Sequence, residues 1–350
     1  MLPSSKFIRL VVISSVLLFA ACQPRPAVVE TKDSLLAFGT FIEITLINIP
    51  AREKQLVLDK IEQDLNYFHF AFHPWKAGPT GRTNQLLEAA GEFTANPSLL
   101  PLIEKAQRLS AQSQGLFNPA IGQLMQTWGY HDDMPPDGPP PDPAAIQKWV
   151  DAKPSMDNLS IKGVRIRNNN PAVKLDFGAI AKGYALDIVL QDIQQMGVTN
   201  AVINAGGDLK VLGSHGDRPW KIGIRHPRNE GIIASLEAKN GEAIFTSGDY
   251  ERYYEYQGKR YHHIIDPRSG YPADQTQSVT VIHHDGALAD AAATAMFVAG
   301  PSQWLAIAKA MGIEQAMLID TSGRILLTRA MQPRLKFEIP NLKIEVVDLP

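Results

Sequence analysis

The segment YHHIIDPRSGYP, residues 261–272, places two histidines, an aspartate and an arginine within twelve positions. Imidazoles titrate near neutral pH, so two of them beside a carboxylate are suited to general acid–base chemistry. His262 and His263 are adjacent on a strand-like stretch, and adjacent residues of a strand point to opposite faces. We therefore expect only one of the two to face a cleft, while Pro267 and Gly270 turn the chain beyond it.

A carboxylate and a hydroxyl lie four residues apart in ADAAATAMF, residues 289–297. Helical spacing puts Asp290 and Thr294 on one face, and the surrounding alanines let a bulky or charged group come close. Such oxygen ligands suit a hard cation such as Mg²⁺, completed by a carbonyl, water or phosphate. The alternative is a packing helix with Asp290 near its N-terminus, where the helix dipole favours negative charge.

Three further segments combine a turn with groups that could contact a ligand. In KLDFGAIAKGYALD, a strand delivers Asp176 to a glycine turn and a helix start, where backbone amides and Lys182 favour an anion. The paired glycines of NAGGDL let a ligand approach the backbone, and Ser247 lies in an apparent turn of FTSGDYERYY. A strand–helix corner, a hairpin turn and a β-turn explain the same segments without a ligand.

The composition is that of an ordinary globular protein. The chain has 350 residues, 45% of them hydrophobic, and a net charge of -2. A large core is possible, and the charge balance lacks the basic excess typical of nucleic-acid binding. Signatures of dinucleotide-binding folds, P-loops, serine hydrolases and zinc proteases do not occur.

The N-terminal pattern is typical of an exported protein. Two basic residues precede the apolar run of residues 10–21, so a signal peptide is predicted over residues 1–21. Cys22, the sole cysteine, follows two alanines and is predicted to be the lipidated first residue of a bacterial lipoprotein; a simple cleaved signal is the alternative. Residues 22–33 are predicted to be a tether. The expected location is the cell envelope, lipid-anchored and facing the periplasm.

Hydrophobic periodicity predicts an α+β fold, with mixed or antiparallel sheets and flanking helices. Helices are expected over six stretches: residues 52–72, 96–115, 143–152, 179–197, 287–300 and 301–312. The segment HPWKAGPTGRTNQL is predicted to be a loop and VRIRNNNPAVKLDFG a hairpin. The Pro-rich stretch 132–143 is predicted to be an exposed loop, with an interdomain linker as the alternative.

Seven segments together resemble the flavin transferases of the ApbE family, the FAD:protein FMN transferases. In order they are FGT, GLFNPAIGQLMQTWGY, LDFGAIAKGYALD, NAVINAGGDLKVLG, TSGDYERYY, HIIDPRSGYP and ADAAATAMFVAG. No single segment would suffice, but seven in this order and spacing are specific. The resemblance implies one domain over residues 34–345, with an ApbE-like, T-fold-related architecture and a central FAD cleft.

The resemblance also implies a set of site residues. Mg²⁺ would be held by Asp290, Thr294 and the backbone carbonyl of Ala179, and would bridge the pyrophosphate of FAD. Phe38 stands where methionine is common, and Trp75 replaces a stacking tyrosine while keeping an aromatic face. The implied cofactor-binding residues are Phe38, Trp75, Asp176, Lys182, Gly206, Gly207, Ser247 and Ile264.

The implied reaction is the Mg²⁺-dependent transfer of FMN from FAD, the substrate, to a Ser or Thr hydroxyl of an acceptor protein, with release of AMP. Its catalytic residues would be His263, which orients or deprotonates the hydroxyl, and Asp290; a buried, hydrogen-bonded structural role is the alternative for His263. The implied acceptor is a flavoprotein subunit of a redox membrane complex. Two rival functions stay open: an FAD pyrophosphatase that gives FMN and AMP, and a non-enzymatic FAD-binding lipoprotein.

Overall fold

The computed structural model describes residues 28–89, 91–131 and 136–349. The predicted signal peptide, Cys22 and the first part of the predicted tether lie outside these residues, as do positions 132–135 of the Pro-rich stretch. The α-helices in the described ranges are α1 Ala51–Phe72, α2 Pro79–Glu88, α3 Leu100–Gln112, α4 Gly122–Thr127, α5 Pro143–Ala152, α6 Ala181–Gln195 and α7 Gly286–Ala310.

A nine-stranded sheet forms the centre of the fold. In spatial order its strands are β1 Glu30–Ala37, β2 Thr40–Ile47, β6 Ala201–Ala205, β7 Asp208–Leu212, β10 Ala243–Gly248, β13 Thr276–His283, β14 Gln315–Asp320, β15 Ile325–Thr328 and β17 Ile344–Val347. Neighbouring strands are antiparallel except for β15 and β17, which are parallel. This sheet with its flanking helices is the α+β arrangement that the sequence predicts.

Three small sheets complete the described part of the chain. One consists of β3 Gly91–Thr94, β5 Arg165–Asn168 and β4 Leu159–Lys162; another of β16 Leu335–Phe337, β9 Ile232–Ala238 and β8 Trp220–Arg225; the third is the hairpin of β11 Tyr253–Tyr256 and β12 Lys259–His262. The β8–β9–β16 sheet packs on one face of the central sheet through a core that includes Trp220, Ile244 and Met317.

Helices α1, α6 and α7 cover the other face, where the largest core lies. Alanines let α7 fit closely against the sheet and α6, and the helix breaks at Gly300, with φ +67, before Pro301. This break accounts for the two helices that the sequence predicts on either side of residue 300. Among the described residues, α7 alone is long and apolar enough to cross a membrane, yet 67% of its most apolar window is buried, as in a core helix.

Two predicted boundaries are corrected by the strand pairing. Strand β1 begins at Glu30, which pairs with Ile47, so residues 30–33 belong to the central sheet rather than to the tether. At the other end, β17 runs to Val347, two residues beyond the expected domain limit at 345. In each case pairing with another strand, β2 for β1 and β15 for β17, supplies the hydrogen bonds that extend the element.

Two predicted local structures are also wrong. The expected loop after α1 contains helix α2, whose buried positions are largely polar and so give no apolar periodicity. The expected hairpin over residues 164–178 forms a strand only at Arg165–Asn168, which pairs with β3 and β4. Its second half makes an isolated parallel bridge between Lys174 and Ile121 instead of pairing with the first.

Candidate active site

A cavity of about 290 Å³ collects nearly all the predicted site residues. It lies where the β1–β2 turn, the C-terminal end of α1, the start of α6, the middle of α7 and the residues after β12 meet. The predicted residues that line it are Phe38, Trp75, Asp176, Ala179, Lys182, Ser247, His263, Ile264, Asp290 and Thr294. The cavity thus joins residues that are far apart in the sequence: Phe38 and Thr294 are separated by 256 positions.

The structure does not bring Gly206 and Gly207 to the cavity wall, in contrast to their expected contact with the cofactor. They form the β6–β7 turn with φ +70 and +108, which glycine adopts without strain. A Cβ on Gly206 would lie 2.4 Å from Thr40 Oγ1, so the turn also requires a residue without a side chain at this position. The next residue, Asp208, does line the cavity, and the turn acts on the site by positioning that carboxylate.

Close packing of α6 on α7 brings the first carboxylate into place. A Cβ on Gly183 would lie 2.1 Å from the carbonyl oxygen of Gly286, so the two helices can approach only because no side chain stands there. The Gly183 N–H then donates to Asp290 Oδ2 over 3.1 Å. Asp290 is only 6% exposed and has a fixed position inside the cavity wall.

Carboxylates exceed cations in this part of the cavity. Lys182 donates to Asp208, and although burial opposes its charge, Asp208, Glu251 and Asp290 raise its pKa. Burial, together with the neighbouring charge of Asp208, raises the pKa of Asp290 to about 7. Desolvation by the surrounding cavity residues, and then the charges of Asp208 and Asp290, also raise the pKa of Glu251. Three carboxylates around one ammonium create a site that favours a further cation.

The donor atoms near this cluster fit Mg²⁺. Asp290 offers a carboxylate and Thr294 a hydroxyl on the same face of α7, and Thr294 Oγ1 lies 3.0 Å from Ser247 Oγ. Ala179, in the turn before α6, lines the same cavity. In the described ranges no three His, Cys, Asp or Glu side chains converge as a metal site, so hydroxyl, carbonyl, water and substrate oxygens would have to complete the coordination.

His263 directly follows β12 and faces the cavity. Its backbone N–H lies 3.1 Å, and its Nδ1 3.2 Å, from the carbonyl oxygen of Arg252. A carbonyl can only accept, so we assign the ring proton to Nδ1, which leaves the lone pair on Nε2. Burial, then the charge of Arg252 and the proximity of His262, lower the pKa of His263 to about 3. The imidazole is therefore neutral at neutral pH, with an unprotonated Nε2.

His262 points to the opposite side of the strand, as alternation predicts. It is 5% exposed, and its Nε2 lies 2.8 Å from the carbonyl oxygen of Ala273. Its Nδ1 accepts from the Ile264 N–H over 3.2 Å, and its ring packs edge-on against Phe297. Both ring nitrogens of His262 form hydrogen bonds within the protein, so His262 stabilises the fold, whereas His263 lines the cavity.

Aromatic side chains wall the far end of the cavity. Phe38 adopts φ +54 in the β1–β2 turn, an unusual conformation for a bulky residue, and its N–H donates to His69 Nδ1 over 3.0 Å. Lys174 Nζ lies 4.6 Å from the centroid of the Trp75 ring. The His131 ring packs edge-on against Trp75, with 5.8 Å between the ring centroids. Such flat surfaces suit the stacking of a planar ring.

Several cavity residues were not identified from the sequence. Asp208, Glu251 and Arg252 line the cavity. Glu251 and Arg252 belong to FTSGDYERYY, the segment in which the sequence predicts Ser247 as a cofactor-binding residue. Asn84 acts from behind the wall: it donates to the Leu175 carbonyl over 2.9 Å and accepts from the Leu175 N–H over 2.7 Å. This pair of bonds fixes the backbone that delivers Asp176, and its partner Leu175 lies 91 positions away.

Comparison with known proteins identifies the family to which the chain is similar. The ApbE family model matches residues 38–318. An FAD:protein FMN transferase of Rhodobacter capsulatus is 40% identical over 332 residues, which cover 93% of this chain; the chain spans 62% of that relative's length.

Two solved structures share the fold. The ApbE protein of Thermotoga maritima is 29% identical with a TM-score of 0.78, and the match covers 87% of this chain and 99% of that one. The apo form of the Pseudomonas stutzeri flavinyl transferase ApbE is 28% identical with a TM-score of 0.77, over 89% and 98% of the two chains. These matches confirm the predicted fold class and the predicted resemblance: the chain belongs to the ApbE family.

Proposed function

We propose that the protein transfers FMN from FAD to a Ser or Thr hydroxyl of an acceptor protein, in a reaction that depends on Mg²⁺ and releases AMP. One observation carries the proposal: a neutral histidine with its Nε2 lone pair available shares a cavity with a carboxylate–hydroxyl pair that suits a hard cation. The first supplies a base for a hydroxyl, and the second supplies a site for a pyrophosphate-bound metal. The name of the R. capsulatus relative supports the same reaction.

In this reaction the acceptor hydroxyl oxygen forms a bond to the phosphorus on the FMN side of the pyrophosphate. The bond between that phosphorus and the bridging oxygen breaks, and AMP leaves with the bridging oxygen. The hydroxyl proton passes to His263 Nε2. The products are a phosphoester between FMN and the acceptor side chain, and AMP, so the step needs no oxidant or reductant. Phosphoryl transfer of this kind depends on alignment and on charge neutralisation more than on covalent help.

The remaining residues hold the reactants. When bound at Asp290, Thr294 and the Ala179 carbonyl, Mg²⁺ supplies charge neutralisation for the pyrophosphate. Phe38 and Trp75 offer faces on which a ring of FAD can stack.

The test combines the full-length protein in detergent with FAD, Mg²⁺ and an acceptor domain already shown to be modified by another transferase. We expect the acceptor to gain the mass of one FMN and AMP to appear in equal amount. AMP and FMN without a change in acceptor mass would instead identify an FAD pyrophosphatase. FAD that is bound but left intact would identify a binding protein.

We further propose that the mature protein is anchored in the envelope through a lipid on Cys22, faces the periplasm and modifies a flavoprotein subunit of a redox membrane complex. The basic–apolar–small residue order before Cys22 supports the anchor. Intact mass of the purified wild type should show a chain that begins at Cys22 and carries lipid, and Cys22→Ser should lack the lipid mass. A wild type without the lipid mass would contradict the anchor.

A further inference from the structure

Arg252 is fixed next to His263 by the β11–β12 hairpin. Tyr253 pairs with His262 at the open end of this hairpin, so Arg252 and His263 occupy the next positions of the two chains. The Arg252 carbonyl oxygen receives both the N–H of His263 and its ring Nδ1, at 3.1 and 3.2 Å. The hairpin register therefore sets the distance between this arginine and the proposed base.

The side chain of Arg252 lines the cavity on a rigid support. Its guanidinium carbon is 5.7 Å from the ring centroid of Tyr130, and Nη2 is 3.5 Å from the Tyr130 carbonyl oxygen. Tyr130 is 3% exposed, and its hydroxyl donates to the Tyr261 carbonyl over 2.7 Å. A guanidinium that rests on a buried aromatic ring loses little further freedom when it binds a ligand.

Positive charge in the cavity is divided between two places. Among the described residues that line the cavity, Lys182 is the one lysine and Arg252 is the one arginine. The Lys182 ammonium is bound to Asp208 among acidic neighbours, whereas Arg252 lies on the His263 side and lowers the pKa of His263 more than Lys182 does. Arg252 also interacts with the buried carboxylate of Asp176, so the positive charge beside His263 is shared with that acid and is distinct from the ammonium bound to Asp208.

We propose that Arg252 is a catalytic residue that binds the non-bridging oxygens of the FMN phosphate while this group passes to the acceptor hydroxyl; this inference rests on the proposed function. A hydroxyl that donates to His263 Nε2 must lie about 3–3.5 Å from the phosphorus it attacks. The oxygens of that phosphate then come close to the residue paired with His263, which is Arg252. Charge on those oxygens is what the planar guanidinium fork neutralises best.

The test compares Arg252→Gln and Arg252→Lys with Arg260→Gln in the full-length protein. Arg260 is a matched control because it lies on the same hairpin and stacks on a tyrosine, Tyr253, at 4.1 Å, but does not line this cavity. We expect Arg252→Gln to lower the rate of acceptor modification about 10²–10³-fold, the scale of one lost transition-state donor, and Arg252→Lys to recover part of it. Arg260→Gln should stay within about threefold of the wild type.

Binding of FMN and riboflavin, followed by flavin fluorescence, isolates the phosphate contact. Arg252→Gln should weaken FMN binding about tenfold or more and leave riboflavin, which lacks the phosphate, unchanged. Equal loss of both flavins, or a rate within threefold of the wild type, would overturn the proposal. If the wild type released AMP without modifying the acceptor, the proposed function would fail, but the rate of AMP release and the FMN-to-riboflavin comparison would still decide the role of Arg252.

Discussion

Replacement of Asp290 by Asn is expected to lower kcat/KM for FAD by about 10³-fold or more while leaving the protein folded. The asparagine oxygen can still accept from the Gly183 N–H, so the bond between α6 and α7 is kept and only the charge is removed. The proposed Mg²⁺ site loses its carboxylate, and with it the neutralisation of the pyrophosphate. AMP release and acceptor mass, measured over a titration of Mg²⁺, would show the loss and its failure to recover at high metal concentration.

The stability of Asp290→Asn gives a second, independent readout. The folded pKa of Asp290 is raised above its unfolded value of 3.8, so the folded state binds more protons and wild-type stability falls as pH rises from about 4 to 7. Without metal, Asp290→Asn should therefore unfold at a higher temperature than the wild type at pH 7.5, with the difference vanishing below pH 4. Mg²⁺ should raise the melting temperature of the wild type alone.

Asp285→Ala is the matched control for Asp290→Asn. Asp285 caps the same helix by accepting from the Leu288 N–H and pairs with Lys105, and it does not line the cavity. Its loss should cost about 1 kcal/mol of stability as a missing N-cap, with little effect on AMP release. If Asp285→Ala abolished activity as fully as Asp290→Asn, the effect of Asp290 would be on the helix and not on a metal.

Secondary structure was predictable from the sequence where the buried side chains are apolar, and it was not predictable where they are polar. Helix α1 buries Val57, Ile61 and Leu65 at helical spacing, and its predicted range agrees with the structure. Helix α2 instead buries two threonines and Asn84, whose polar atoms bond to the backbone of Ala71, Pro79 and Leu175. A buried polar residue can be recognised only with its partner, and for Asn84 that partner is 91 positions away.

The candidate site divides in a similar way. Segment order and resemblance selected residues that the structure places on one cavity, including His263 and Asp290. The electrostatic balance was not predictable, because the charge of Lys182 on helix α6 is set by Asp208 on strand β7, 26 residues away. The paired glycines before Asp208 illustrate the limit: glycine indicates that the backbone needs freedom, and the structure shows the turn between β6 and β7 that uses it.

Replacement of His263 by Ala is expected to lower the rate of acceptor modification about 10²–10⁴-fold, the range for loss of a general base, with FAD binding largely kept. The matched control is His262→Ala. Because both ring nitrogens of His262 bond within the protein, that change should lower stability by about 2 kcal/mol and leave the modification rate of the folded fraction close to that of the wild type. Acceptor mass against time, with thermal unfolding of both variants, separates the two effects.

The pH dependence distinguishes a base from a structural histidine. With a pKa lowered to about 3, His263 stays unprotonated in the free enzyme from pH 8 to pH 5, so kcat/KM for FAD at saturating Mg²⁺ should show no histidine limb near pH 6.5. Bound pyrophosphate brings negative charge near the imidazole and raises its pKa, so kcat, which reports the bound state, should fall toward acid pH. That fall should disappear in His263→Ala. If the acid limb of kcat stayed in place without His263, the proton would have to pass to another group of the cavity, and Glu251 would be the first to replace.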